Sequence, residues 1–407
     1  MKLAEVSLDE LGTVSRGRSR HRPRDAAHLY GGPYPLVQTG DIKRANLYLR
    51  DFSQTYSDAG LAQSKLWPPN TLCITIAANI ADTAILDMEA CFPDSVIGFI
   101  AHEDRADVRY IKYLLDTIKA QYKQVSRGAT QDNLSQAKLL SFKLTVPDVG
   151  IQRRVAGVLS AYDDLIENNT RRIRLLEDAA RLLYEEWFVR LRFPGHEHTP
   201  INDGVPEGWS QEPIGDHISV IRGKSYRSPE LVEAGGKPFV NLKCIARDGG
   251  FRFDGLKRFI GTHKPEQIVQ LGDIVVAVTD MTRERRIVAH AARIPAAMKE
   301  LGVISMDTVK IVPHGSVDST WMYGLLRFSS FSREVREHAT GTNVLHLKPA
   351  RISEYVSVLP PRLLQDQYGD SVRQMLKQID TLQLQQLRLK DARDLLLPRL
   401  MTGEVAV

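Results

Sequence analysis

The chain has 407 residues, enough for two or three domains at roughly 100–200 residues each. Hydrophobic residues make up 43% and charged residues 25%, which excludes bulk disorder, and 28 glycines with 20 prolines exclude low complexity. The 54 basic and 49 acidic residues leave a net charge of +5, too mild by itself to identify a polyanionic partner. The longest apolar runs, such as 74–78 and 274–278, fall far short of the ~20 residues that cross a bilayer, so no membrane partner is expected. The start, Met1-Lys2-Leu3-Ala4-Glu5-Val6-Ser7, lacks the apolar core of a signal peptide. Cys73, Cys91 and Cys244 lie far apart and form no CxxC pair, so neither a disulfide framework nor a zinc knuckle is supported. A cytoplasmic location follows as the expectation.

In chain order, the first feature is a cationic segment. Arg16, Arg18, Arg20, Arg22 and Arg24 alternate, with no acid until Asp25. Short β-rich runs follow at 72–76 and 96–100, broken by Gly, Pro, Asn and Asp turns. Residues 107–122 read as a helix. A much longer helix is predicted over 151–189, 39 residues or roughly 58 Å. Its seam holds Ile151, Val155, Val158, Tyr162, Ile166, Asn169, Ile173, Leu176, Ala180, Leu183 and Trp187 at the spacing of a coiled coil. Residues 190–210 carry three prolines and three glycines and mark a linker. The second half repeats the plan, with strands at 273–278 and 308–312 and a helix over 319–339. A final helix places Leu364, Tyr368, Met375, Ile379, Leu382, Leu389, Leu396 and Leu400 on one seam.

These halves are an internal repeat. A shift of 213 residues superposes Gly128 on Gly341, Leu134 on Leu347, Ala137 on Ala350, Pro147 on Pro360 and Gln152 on Gln365. The same shift superposes Ile166 on Ile379, Leu176 on Leu389, Asp178 on Asp391, Ala179 on Ala392, Leu182 on Leu395 and Leu183 on Leu396. The unbroken register implies duplicated modules, each followed by a long amphipathic helix. Such a helix cannot bury its stripe alone, and the simplest partner is its own repeat, packed antiparallel. The expected fold is therefore α+β: two tandem β-rich modules joined by an antiparallel two-helix coiled-coil spacer with pseudo-two-fold symmetry. The expected boundaries are a first module over 1–147, a helix over 148–190, a linker over 191–208, a second module over 209–360, and a second helix with tail over 361–407.

Three segments carry a resemblance to a known family. They are the repeated Gly-to-Leu-to-Pro lead-in to each long helix, the exit Trp187-Phe188-Val189-Arg190-Leu191-Arg192-Phe193-Pro194-Gly195-His196, and the restart Val205-Pro206-Glu207-Gly208-Trp209. Together they resemble the specificity subunit of Type I restriction-modification enzymes, over nearly the whole chain. The resemblance implies two target-recognition domains, each reading one half of a split double-stranded DNA target. It also implies that two methyltransferase subunits dock on the helical spacer and two restriction-translocase subunits join them. S-adenosylmethionine, ATP and Mg²⁺ would then belong to those partners, with no cofactor in this chain.

The sequence itself offers no catalytic motif. Trp67-Pro68-Pro69-Asn70 reverses the order of an adenine-methyltransferase motif and reads as a turn. No P-loop and no nucleophile elbow occurs, and His196-Glu197-His198 lacks a third ligand nearby. The chain is therefore expected not to be an enzyme.

DNA binding requires phosphate contacts for affinity and base-edge contacts for discrimination. The arginine segment is the foremost candidate, since alternation in an extended strand throws Arg16 to Arg24 to one face. Its counterpart by position holds Arg222, Lys224 and Arg227. Gln38, Thr39, Lys43 and Arg44 end one β-rich run, and Asn241 and Lys243 end the matching one; amide side chains there suit adenine edges. Loops beyond the central strands offer Asn79, then Thr282, Arg283, Arg285 and Arg286. Around the repeated glycines, Arg127, Thr130 and Asn133 match Thr340, Asn343 and His346, with Thr342 beside them. Two alternatives stay open: a coiled-coil scaffold without DNA specificity, and the specificity module of another multi-subunit DNA methyltransferase or restriction enzyme. A rigid spacer would hold both modules in the major groove about one turn, ~34 Å, apart. Inserting residues into the long helices is expected to change the required gap and leave both half-sites intact. Methylome mapping of an insertion variant checks this, and an altered half-site at an unaltered gap contradicts it.

Overall fold

The computed structural model describes residues 3–77, 80–119, 134–282, 284–315 and 317–407. They form two compact units, Met1–Asn168 with Gln386–Val407, and Asn169–Gln385.

In the first unit, strand Leu3–Val6 pairs antiparallel with Leu144–Pro147. A five-stranded sheet follows in the order Gly12–Arg16, Val96–Ala101, Leu72–Thr75, Thr83–Leu86, Tyr48–Leu49. A four-stranded sheet orders Gln54–Tyr56, Tyr30–Leu36, Ala90–Cys91 and Leu66–Trp67. The run Leu72-Cys73-Ile74-Thr75 is buried throughout because its two faces meet different cores. Leu72 and Ile74 pack with Tyr110, Ile111 and Leu115 of helix Val108–Thr117 and with Val155 and Leu159 of the long helix. Cys73 turns the other way, onto Trp67, Phe92 and Val96.

The second unit repeats this scheme. Ser210–Pro213 pairs with Val356–Leu359, and a four-stranded sheet orders Ile218–Arg222, Thr308–Pro313, Ile274–Ala277 and Ala291–Arg293. A five-stranded sheet orders Leu231–Val232, Lys257–Phe259, Lys237–Val240, Gly302–Ile304 and Ile268–Val269. Here Ile274 and Val276 face the helices, while Val275 and Ala277 face Val240, Ile245 and Ile304.

Each module helix is capped by an aspartate. Asp107 accepts from the backbone N–H of Arg109 and Tyr110, and Asp318 from those of Thr320 and Trp321. A buried glutamine at the root of each long helix then joins three segments. Gln152 Oε1 accepts from Asp107 N at 3.1 Å and its Nε2 donates to Pro147 O at 2.9 Å. Gln365 does the same with Asp318 N at 2.9 Å and Pro360 O at 2.8 Å. The repeated identities of Pro and Gln thus have a structural cause.

The long helices are Val149–Tyr184, extended by a wide π-type turn over Glu185–Val189, and Arg362–Thr402. They pair antiparallel in both units. In the first, Asp163 meets Arg393 and Gln386 Nε2 donates to Ile166 O at 3.0 Å. In the second, Asn169 Nδ2 donates to Gln385 Oε1 at 3.4 Å, and the rings of Tyr184 and Tyr368 lie edge-to-face at 5.9 Å.

The seam differs from the expected one in detail. Val155, Ile166, Leu364, Tyr368, Ile379 and Leu382 are buried. Ile151, Tyr162, Ile173, Leu176, Leu183, Met375, Leu389 and Leu396 are half-buried. Val158 is exposed, and Leu159 and Asp163 take the inward positions instead. The stripe turns because the polar Gln152, Ser160 and Asp163 also occupy it. The expected helix over 319–339 breaks as well. It ends at Phe328, where Ser329 takes extended backbone and bonds Leu325 O, and a shorter helix Phe331–Val335 follows. Helix Val108–Thr117 stops short of the expected 122, and 120–133 lie outside the described residues. The linker is not featureless: Ile201–Asn202 and Val205–Pro206 form a hairpin. Its turn residues Asp203 and Gly204 both have positive φ, which an Asp-Gly pair favours.

Replacing Gln152 by Ala is expected to destabilise the first unit by about 3 kcal/mol, because it strands buried backbone groups. Gln365→Ala should act equally on the second unit. Denaturant unfolding measures both.

Candidate nucleic-acid interface

In each module the first strand of the sheet that packs on the helices ends in the same dipeptide. Arg16-Gly17 follows strand Gly12–Arg16, and Arg222-Gly223 follows Ile218–Arg222. Neither glycine can carry a side chain: a Cβ would stand 2.3 Å from Pro93 O at Gly17 and 2.0 Å from Ser305 O at Gly223. Only a bare backbone passes this point, which fixes where the following cationic residues emerge.

The arginine segment does not continue as a strand, so its side chains do not share one face. Arg16 is the last strand residue. Its Nε and Nη2 donate to Asp94 O at 3.0 and 2.7 Å. Arg24 forms an ion pair with the Asp94 carboxylate at 2.8 Å. Arg22 Nη1 donates back to Ser19 O and His21 O at 2.9 and 2.8 Å. Arg18 and Arg20 remain exposed, their backbone held by Ser64 and Gln63. The expected single row thus becomes a folded loop that presents Arg18 and Arg20.

In the second unit, Arg222, Ser225, Thr279, Met306, His346 and Lys348 line an open cleft of about 320 Å³. Among the described residues lining it are two permanent cations and no carboxylate. Thr279 Oγ1 lies 3.5 Å from His346 Nδ1. His346 closes a tight hairpin: its N–H donates to Thr340 O at 2.8 Å and Thr340 N–H donates to His346 O at 3.0 Å. Gly341, at φ +146°, allows this closure, because a Cβ there would lie 2.0 Å from Val344 O. The hairpin leaves Thr342 and Asn343 exposed at its tip.

Beside the cleft, Thr282, Ile287 and Val288 are tied to one buried carboxylate. Asp280 accepts from Thr282 N and Thr282 Oγ1, both at 2.8 Å, and from Ile287 N and Val288 N at 2.6 and 3.1 Å. Burial pushes this carboxyl up, but these four hydrogen bonds outweigh it and hold Asp280 below the usual carboxylate range. Met281 is 70% exposed. Arg285 is turned onto Glu337 by an ion pair, and Arg286 is exposed.

Other expected readers have structural work. Asn241 is buried; its Nδ2 donates to Gly255 O at 2.7 Å and its Oδ1 accepts from Lys243 N at 2.9 Å. It is a turn residue, not an adenine reader, while Lys243 stays exposed. Gln38 precedes helix Thr39–Arg44 and donates to Gln54 Oε1 at 3.1 Å. Thr39 is half-buried, and Arg44 pairs with the buried Asp41. Lys43 lines a cavity of about 320 Å³ together with Asn46, Lys112 and Arg393, none of them from the arginine segment. Lys224 is half-buried, its backbone pairing with Ile304 and Met306; Arg227 is exposed. Asn79, Arg127, Thr130, Asn133 and Arg283 lie outside the described residues. Sequence reasoning missed Ser225, Thr279, Asp280, Met306 and Lys348. Asp280 carried one signal, an acid two residues beyond the apolar run 274–278.

The duplicated module, the paired long helices and the cationic cleft accord with what the chain is similar to, the DNA specificity proteins of type I restriction-modification systems. Residues 2–178 match the family model described as "Type I restriction modification DNA specificity domain", and that stretch belongs to the family. Two curated relatives extend over almost the whole chain. The "Type I restriction enzyme MjaIX specificity subunit" of Methanocaldococcus jannaschii is 25% identical, covering 98% of this chain and 93% of its own. The "Type I restriction enzyme HindI specificity subunit" of Haemophilus influenzae is 19% identical, covering 97% and 98%. Among solved structures, the type I restriction-modification S subunit from M. genitalium shares the fold. Its TM-score is 0.61 at 14% identity, covering 98% of this chain and 96% of its own. No helix among the described residues is long and apolar enough to cross a membrane.

Asp280→Ala should free Thr282, Ile287 and Val288 and destabilise the unit by about 3 kcal/mol, seen as faster exchange at those amides. The sign with pH follows from the lowered carboxyl. Its contribution is complete above the ordinary value near ~3.9 and is lost only as pH falls through the lower folded value. Exchange at these amides should therefore show no protonation-linked opening between pH 5 and 8, beyond the intrinsic rise of the exchange rate itself.

Proposed function

We propose that the chain selects the DNA target of a type I restriction-modification assembly, with each module reading one half of an asymmetric, two-part duplex site. The observation that carries this reading is the cleft of the second unit, where Arg222 and Lys348 flank His346 and Ser225 without a carboxylate. Cations beside polar and apolar side chains in one concave site match the two demands of duplex binding, phosphate attraction and base-edge readout. The asymmetry of the site follows from the modules' different surfaces: Arg18 and Arg20 on one, Arg222 and Lys348 on the other.

The helices serve as the docking frame in this reading. Leu182 and Leu395 are equivalent under the 213-residue shift, and both stand exposed, at 47% and 65%. Apolar residues in matching places on the outer face of each copy suit two copies of one partner. Two methyltransferase subunits are assigned there, and two restriction-translocase subunits join through them. Catalysis, and with it S-adenosylmethionine, ATP and Mg²⁺, resides on those partners in a cytoplasmic complex. This chain is the non-catalytic member.

Methylome mapping of a cell expressing the chain with its methyltransferase partner tests the reading: one bipartite motif with a fixed gap is expected. For the purified complex, log affinity for duplex should fall steeply with log salt, and Arg222→Ala or Lys348→Ala should each reduce the slope by about 1. A flat salt dependence would favour a scaffold without DNA specificity.

A further inference from the structure

A buried carboxylate ties the first module to both long helices at once. Asp163, on the first helix, is 2% exposed. It accepts from Asn46 Nδ2 at 2.8 Å and from the Tyr113 hydroxyl at 2.5 Å, and pairs with Arg393 on the second helix. Arg393 Nη1 also donates to Asn46 Oδ1 at 3.2 Å. Asn46 follows the short helix Thr39–Arg44, and Tyr113 sits on Val108–Thr117, so both belong to the module. Burial and the neighbouring Asp163 charge push the Tyr113 phenol up, so it stays a proton donor at this joint.

The second unit answers the same need with other residues. Asp380, on the second helix, accepts from Arg293 Nη1 and Nη2 at 3.1 and 2.8 Å and from Ala296 N at 3.1 Å. Under the 213-residue shift, Asp163 falls on Leu376 and Asp380 on Glu167, so neither joint is a copy of the other. Buried ion pairs are poor sources of stability, since apolar residues of similar volume stabilise as well or better. Directional bonds to one carboxylate, from three segments at Asp163 and from the single stretch Arg293 to Ala296 at Asp380, supply something else. Apolar faces tolerate sliding, whereas these bonds are satisfied in one orientation only.

We propose that Asp163 and Asp380 are positioning residues: each sets the angle of its module on its own stretch of helix, and so sets how strictly the DNA gap is measured. This rests on the bipartite-target reading above. The length of the long helices would then govern the gap, and these joints would govern its tolerance.

The test uses the full chain co-purified with its methyltransferase subunits. Binding is measured on duplexes carrying the mapped half-sites at the native gap and at one base pair more or fewer, and on duplexes with randomised half-sites. The double variant Asn46→Ala, Tyr113→Phe removes the module's bonds but keeps the Asp163–Arg393 pair between the helices. Its preference for the native gap should fall about tenfold, the scale of one or two lost hydrogen bonds to a charged group, with unchanged half-site preference. Val155→Ala, in the core of the same unit, serves as the control: it should lower the melting temperature and leave the gap preference intact. If the double variant does not fold, Tyr113→Phe alone is scored by the same criteria. An unchanged gap preference in the folded variant, or equal loosening by Val155→Ala, overturns the joint. A wild-type complex that selects no two-part site overturns the functional reading instead.

Discussion

A single buried side chain at the root of each long helix holds the architecture together. Gln152 and Gln365 each bind the backbone of the strand that leads into the helix and the N-terminus of the module helix beside it. An amide can donate and accept at once, and here both ends are used in a site closed to water. The three segments therefore leave this point in one arrangement. The sheet, the module helix and the long helix inherit their mutual placement from it, and the apolar cores fill the spaces so defined.

Outward from that point, repetition gives way to difference. The central strands keep the same two-sided burial, Leu72 and Ile74 against Cys73 in one module, Ile274 and Val276 against Val275 and Ala277 in the other. Both modules keep an arginine and a glycine pressed against backbone at the end of the first strand of this sheet. Beyond the glycine the resemblance ends. One module folds its arginines onto Asp94, and the other opens a cleft between Arg222 and Lys348. Burial constrains the strands from both sides, while the loops answer only to what they touch.

The sequence made the fold legible where identities and periodicity coincide. Pro147 with Gln152 and Pro360 with Gln365 sit at points that the backbone cannot alter. The antiparallel helices were legible from their stripes, because an apolar face of that length requires a partner. The rotation of the seam was not, since a hydrophobic template passes over Gln152 and Asp163, which are buried polar residues on that face. The surface was legible only in part. Arg16 and Arg24 look alike in a cationic run, but both are turned onto Asp94, a residue some 70 positions away. Asn241 reads as a base-binding amide until Gly255 O is found against it. Spacing along the chain cannot reveal such partners, because they arrive from other strands.

Asp280 gathers the amide of Thr282 on one side and those of Ile287 and Val288 on the other. Of the residues between, Thr282 adds its hydroxyl to the same acid and Arg285 reaches out to Glu337. Such a mounting leaves Met281, Glu284 and Arg286 exposed, positions that can change while Asp280 keeps its backbone partners on the strand beneath. A protein whose task is to distinguish one text from another gains a way to acquire new preferences by drift in a few positions, while its frame stays as it was.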